Sequence, residues 1–387
     1  MKALTFDGVG KIKVVEKDKP KLELPNQAII KLVRTTICGT DLHIIKGDVP
    51  TVEQGRTLGH EGVGIVEEVG KEVKNFKTGD RVLIACITSC ATCTFCKRSL
   101  YDACKSGGWT LGHTIDGTQA EYLRIPFADS CLYPIPPGAD ERSLLVYSDI
   151  LPTGLEVAVL RGLVKPGCTV AVVGAGPVGL ASVICANLYS PKAVVCFDRD
   201  GWRLEKAKEV GATECYKVGS DAEAREVSKG WFGDKDGFDV VVEAVGVPET
   251  FDMCQELVGI GGNIANVGVH GTGVNLRIDK LWPRSTSKYS IDLTGEKVEA
   301  DGLCSDLHGA GVVLHNSDVA GSDVGWEIGH KCFDYTWRVS RLLTLRPDND
   351  DSANGLVDFK FSEIEKAYDI FGRAAETKAL KVNIEFD

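Results

Sequence analysis

The stretch TVAVVGAGPVGL, residues 169–180, decides the fold of the chain's second half. Thr169–Val173 is a continuous apolar run, as a parallel strand buried on both faces requires. Gly174, Gly176 and Gly179 then set out G-x-G-x-x-G, and a helical stretch follows over Leu180–Leu188. The first glycine permits a tight turn, the second lets backbone approach a pyrophosphate, and the third allows close packing of helix on strand. Unpaired N–H groups and the helix dipole favour an anion at that terminus. Asp198 follows the next strand-like run, Ala193–Phe197. A carboxylate there accepts hydrogen bonds from the adenosine ribose hydroxyls and repels a 2′-phosphate, selecting NAD over NADP, although Arg199 beside it pulls the other way.

Outward from this unit the alternation continues with a helix over Arg203–Val210 and strands at Asp239–Glu243 and Gly262–Val267. Strand and helix in turn predict a doubly wound α/β domain. Upstream, from Met1 to about Leu151, the text is strand-rich and broken by glycine, with runs at Ala28–Val33, Gly64–Val69 and Asp80–Ile84. Short strands at that spacing predict a barrel-like β domain. An amphipathic helix, Ser362–Phe371, and a strand, Ala379–Phe386, close the chain. At 387 residues two domains are expected, and no internal repeat is present.

A formal charge of −11 argues against nucleic acid and anionic membrane as partners. The N-terminus has no signal-like apolar region, and no apolar run reads as a spanning helix, so a soluble cytoplasmic protein is expected. Of its 14 cysteines, Cys131, Cys168, Cys185, Cys196, Cys215 and Cys254 stand among apolar residues and read as core. Cys90, Cys93, Cys96 and Cys104 form C-x2-C-x2-C-x7-C within 88–105, a spacing that wraps a tetrahedral ion and leaves no open position. That is a structural zinc lobe. Chemistry needs an open site, and two short stretches offer donors: Cys38-Gly39-Thr40-Asp41-Leu42-His43 and Gly59-His60-Glu61-Gly62.

Taken together, the C-G-T-D-x-H and G-H-E-x-x-G motifs, the cysteine lobe and the glycine fingerprint resemble the zinc-dependent alcohol dehydrogenases of the medium-chain dehydrogenase/reductase superfamily. The resemblance covers Met1 to about Arg284 and resumes near Leu356. It implies a GroES-like β-barrel catalytic domain at 1–152, a Rossmann domain at 153–284, and a return to the catalytic domain at the C-terminus. It further implies two zinc ions per subunit, a catalytic one on Cys38, His60 and Asp149 and a structural one on the four cysteines. Asp41 resembles the carboxylate that orients the histidine ligand. Glu61 resembles the residue that approaches the metal during ligand exchange, Thr40 the hydroxyl that accepts the alcohol proton, and His43 the solvent end of the relay. On the cofactor side it implies Thr153, Val267 and Val269 at the nicotinamide, Val178 behind the ring, Arg203 near the ribose and Lys381 at the pyrophosphate. Trp109 resembles a wall of the substrate pocket, with a plain core tryptophan as the alternative.

The implied activity is oxidation of small primary or secondary alcohols to aldehydes or ketones with NAD, most closely EC 1.1.1.1, in a homodimer or homotetramer. Polyol or formaldehyde dehydrogenase is the nearest alternative, and a zinc-free quinone reductase or a catalytically impaired zinc-binding paralogue stands further off. Residues 285–355 depart from the pattern, being longer by about thirty residues and without sustained periodicity, so they read as an insertion or a gene-model artefact.

Overall fold

The computed structural model of the chain describes residues 1–284, 288–291 and 355–386. The atypical segment therefore lies outside the described residues, apart from one short strand and Gly355. Two compact units are present, with the break between Asp149 and Ile150. The C-terminal described residues, 355–386, join the first unit.

In chain order, the first unit holds β1 (Lys2–Phe6), β2 (Ile12–Glu16), β3 (Ala28–Ile37), β4 (Gly62–Val69), β5 (Arg81–Ile84), β6 (Tyr122–Ile125) and β7 (Leu132–Pro134). Helix α1 (Gly39–Lys46) follows β3 directly. The second unit holds β8 (Thr169–Val173), α2 (Pro177–Asn187), β9 (Ala193–Asp198), α3 (Gly201–Glu209), β10 (Glu214–Lys217), β11 (Phe238–Glu243), β12 (Val258–Asn266) and β13 (Lys288–Ile291). The chain then returns through β14 (Leu356–Lys360), α4 (Ile364–Gly372) and β15 (Lys381–Glu385).

The first unit is built on a seven-stranded sheet ordered β14-β15-β3-β4-β5-β7, with β6 also paired to β3. Ten-residue β3 is its spine, antiparallel to β4, β6 and β15. Alternate faces feed one core that includes Leu4, Ile30, Leu32, Ile84, Leu123, Val382 and Ile384. Helix α4 adds Ile364, Ala367, Tyr368 and Phe371, the apolar stripe legible in its sequence.

The second unit is a six-stranded sheet ordered β10-β9-β8-β11-β12-β13, parallel throughout. This is the 3-2-1-4-5-6 order of a dinucleotide-binding fold, whose ligand crevice lies at the carboxyl ends of the strands where the order reverses. All five residues of β8 are buried, as the apolar run requires. Helix α2 starts earlier than its periodicity suggests, because Pro177 is preorganised for the first turn.

One stretch departs from expectation. The helical run Glu141–Arg161 is long and apolar enough to cross a membrane by length and composition. Asp149 and Glu156 hide this in a reading by apolar runs. Half of its most apolar window is buried within the protein.

Candidate metal centres and nucleotide loop

Four donors meet in the first unit. Cys38 caps α1 immediately after β3, and His60 and Glu61 lead into β4. Asp149 follows Ser148, whose carbonyl accepts the Cys86 amide at 3.1 Å and ties this segment to the chain beyond β5. One ligand atom from each of Cys38, His60, Glu61 and Asp149 lies within 4.8 Å of all the others. Asp149 Oδ2 stands 3.3 Å from His60 Nε2 and 3.7 Å from Cys38 Sγ. The long-range coincidence is the informative part: the sequence separates these residues by up to 111 positions.

The donor set fits zinc. A thiolate, an imidazole and a carboxylate make a three-ligand site of the open, catalytic kind. Burial pushes His60 down, but Asp149 and Cys38 beside it outweigh that and hold it well above the ordinary histidine range. Glu61 is 1% exposed, and its Oε2 is buried without a hydrogen-bond partner among the described residues, while Oε1 accepts from Lys381 Nζ at 2.6 Å. Burial holds the Glu61 carboxyl above its usual range despite that lysine. A half-buried Asp149 beside a buried Glu61 with an orphaned oxygen calls for a cation.

Lys381, which the resemblance assigns to a pyrophosphate, lies in β15 of the first unit with its side chain 4% exposed and paired to Glu61. Burial lowers its pKa, and Glu61 and Cys38 more than offset this, so the ammonium stays charged. Asp41 lies in α1 of the same unit. As the third residue of α1 its carboxylate curls back to the helix cap, accepting the Cys38 amide at 2.9 Å, and it also accepts Gln119 Nε2 at 3.3 Å. Among the described residues it makes no hydrogen bond to the His60 ring; it orients the cysteine ligand's backbone instead. Tyr368 of α4 completes this chain, donating its hydroxyl to Gln119 Oε1 at 2.8 Å.

Thr40 Oγ1 lies 3.7 Å from Cys38 Sγ. His43, one turn along α1, pairs Nδ1 with Asp48 Oδ2 at 2.8 Å, and its side chain is 21% exposed. Trp109 packs half-buried on the core and stacks on His113 at 4.5 Å, and His113 Nε2 meets Thr51 Oγ1 at 2.7 Å.

The cysteine lobe gathers the sulfurs of Cys90, Cys93, Cys96 and Cys104 within 4.8 Å of one another. The Cys93 amide donates to Cys90 Sγ, the Cys96 amide to Cys93 Sγ, and the Cys90 amide to Cys104 Sγ, at 3.3–3.5 Å. Burial opposes ionisation of Cys90, but donors from Thr92 and Cys93 bring it to about 6. Burial and its thiol neighbours push Cys96 up to about 12. Four thiolates cannot coexist here without a cation, and a divalent ion supplies it. Of the six scattered cysteines, Cys131, Cys185, Cys196 and Cys254 are buried and Cys168 and Cys215 half-buried.

In the second unit, Gly174 has φ +102°, and a Cβ there would meet Val245 Cγ2 at 2.5 Å. A Cβ on Gly179 would sit 1.9 Å from the Gly174 carbonyl oxygen. Gly176 is different: a Cβ would meet nothing nearer than Arg203 Nη1 at 3.9 Å. The protein itself leaves room at this position, which is what a ligand held against backbone needs. Asp198 Oδ2 accepts the Ala175 amide at 2.7 Å and Oδ1 the Asp200 amide at 2.8 Å, which fixes the carboxylate beside the loop with a lone pair left on each oxygen. Val178 sits half-buried in the first turn of α2 and Thr153 ends the helical turn Ile150–Thr153. The Val267 amide is committed to the Glu243 carbonyl at 2.8 Å, and the Val269 carbonyl lies against Gly246.

Comparison with known proteins agrees with this architecture. The Alcohol dehydrogenase GroES-like domain matches residues 24–137, and the Zinc-binding dehydrogenase family matches residues 177–301. An alcohol dehydrogenase of Cupriavidus necator is 34% identical over 71% of this chain and 78% of its own. A glutathione-independent formaldehyde dehydrogenase of Pseudomonas aeruginosa is 35% identical over 63% of this chain and 65% of its own. Among solved structures, zinc-dependent alcohol dehydrogenase 2 of Streptococcus pneumonia, in its apo form, is 41% identical, with TM-score 0.82 over 100% of this chain and 99% of that one. Fold and donor sets define a zinc-binding oxidoreductase with a dinucleotide-binding unit. The chain belongs to the zinc-dependent alcohol dehydrogenases of the medium-chain dehydrogenase/reductase superfamily.

Gln119, Tyr368 and Cys86 were not singled out from the sequence. Only Thr118-Gln119, a polar pair just before strand-like text, carried any signal, since a buried glutamine needs partners.

Proposed function

We propose that this protein oxidises small primary or secondary alcohols to aldehydes or ketones with NAD, in the cytoplasm, as a homodimer or homotetramer. The observation that carries the reading is the convergence of Cys38, His60 and Asp149 on one point, with Glu61 beside them. Cys38, His60 and Asp149 would hold zinc, and bound zinc supplies a Lewis acid for the alcohol oxygen. Gly174–Gly179, Asp198 and Arg203 would hold NAD, which supplies the hydride acceptor.

The protein's own residues do the rest. Thr40, beside Cys38, accepts the alcohol proton at Oγ1. His43, one turn away and braced by Asp48, carries it outward. Asp198 supports NAD over NADP because its carboxylate is already held next to the loop. Exposed Val274, Leu276, Ile278 and Trp282 of the second unit, the last 62% exposed, support self-association. The matched formaldehyde dehydrogenase supports a second reading, with formaldehyde as the substrate. The test is initial-rate reduction of NAD and NADP with a panel of short alcohols and formaldehyde. Turnover of simple alcohols with NAD is expected. Turnover of formaldehyde alone would establish the second reading, and none at all despite two bound zinc ions would establish an impaired paralogue.

A further inference from the structure

Cys86 lies two residues beyond β5, half-buried, and its thiol points at the metal centre without belonging to the donor set. Its Sγ stands 3.5 Å from Asp149 Oδ1, while Oδ2 of the same carboxylate faces Cys38 and His60. The two oxygens are thus divided: one turned to the metal donors, the other to a thiol. The backbone fixes the arrangement, because the Cys86 amide donates to the Ser148 carbonyl, next to Asp149 in sequence, and the Ala85 amide donates to the Cys131 carbonyl. Thiol and carboxylate therefore cannot drift apart independently.

We infer that Cys86 is a positioning residue that holds Asp149 as a one-oxygen ligand. Carboxylates bind metal through one oxygen or two. Two-oxygen binding by Asp149 would fill the coordination position that a substrate oxygen needs in a three-ligand site. A thiol is a weak donor, yet partners in the outer shell of a metal site commonly change metal affinity 10–100-fold. The inference rests on Asp149 being a ligand, and the experiment separates the two claims.

The test uses the full-length protein with cobalt(II) in the catalytic site and zinc in the lobe, and compares wild type, Cys86→Ala, Cys86→Ser and Asp149→Ala. In Cys86→Ala the visible d–d absorption should fall from four-coordinate intensity toward the weaker five-coordinate kind as both oxygens engage. Metal release to a chelator should change by about 10-fold. Cys86→Ser keeps a donor and should restore both readouts. Its thiolate-to-cobalt charge-transfer band should equal that of wild type, since Cys38 is the single sulfur ligand. An unchanged spectrum and release rate in Cys86→Ala would overturn the inference, as would a halved charge-transfer band in Cys86→Ser, which would make Cys86 a ligand itself. If Cys86→Ala does not fold, the charge-transfer band and d–d spectrum of Cys86→Ser decide alone. An Asp149→Ala variant that still holds the catalytic metal would remove the ligand reading, independently of Cys86.

Discussion

Asp149 sets the character of the proposed catalytic centre. A carboxylate carries the same charge as a cysteinate but is the harder donor, so it shifts metal preference away from soft ions. Replacing it by thiolate, Asp149→Cys, should retain zinc and lower the affinity for manganese(II) relative to zinc. Competition titration checks this, and an unchanged ratio would contradict it. At the same scale, Lys381→Met leaves the Glu61 carboxylate buried without its cation. Removing one partner of a buried pair costs about 3–5 kcal/mol, so metal-free Lys381→Met should unfold at markedly lower denaturant, with Lys381→Arg close to wild type. Equal midpoints for Lys381→Met and wild type would show that the pair contributes nothing. Cys38 and His60 were legible as donors only through their motifs taken together with the cysteine lobe and the glycine fingerprint. The Lys381–Glu61 pair was not, because 320 residues separate its members and the β15–β3 and β3–β4 pairings together bring them into contact.

At the scale of elements, the β8–loop–α2 unit separates two roles for glycine. Gly179→Ala forces a Cβ into the Gly174 carbonyl, so it should destabilise the second unit by about 1–3 kcal/mol. Gly176→Ala has room and should leave the melting temperature near wild type while weakening NAD binding. Calorimetry with NAD titration distinguishes them; a large stability loss in Gly176→Ala would contradict this division of roles. Asp239, at the start of β11, accepts the Thr169 amide at 2.9 Å and hydroxyl at 3.0 Å and pairs with Lys235. Burial raises its pKa, but these partners outweigh that and leave it below the ordinary aspartate value. A depressed carboxyl stabilises the fold above its unfolded pKa, about 3.9, and that contribution is lost as pH falls through the folded value. Asp239→Asn should therefore be less stable than wild type at pH 7, with the gap closing toward pH 3; a constant gap in urea midpoints would rule this out. Strands β8, β9 and β11 were legible because burial on both faces demands unbroken apolar runs, whereas β10, a half-buried Glu-Cys-Tyr-Lys, and β13 were not read, and β12 was read only from Gly262. Strand β3 was read only as far as Val33, because Arg34, Thr35 and Thr36 hide its continuation. Thr35 and Thr36 are nonetheless buried, with their hydroxyls bonded to the Glu61 and Val382 carbonyls.

At the scale of the whole molecule, the two donor clusters divide labour. The cysteine lobe has every position filled by protein, so Cys96→Ser should lower thermal stability or assembly first, and activity only as a consequence. The centre at Cys38, His60 and Asp149 leaves a position open and should bear directly on turnover. The order of the clusters along the chain made the family legible, whereas the second-layer contacts of Asp41, Gln119 and Tyr368 needed three distant segments to be folded together. The most direct test of the account is zinc content per subunit of wild type and Asp149→Ala, measured alongside NAD reduction. Wild type should bind two zinc ions, one per cluster, and Asp149→Ala should keep the lobe's ion, lose the other and stop reducing NAD. Two retained ions with full activity in Asp149→Ala would contradict it.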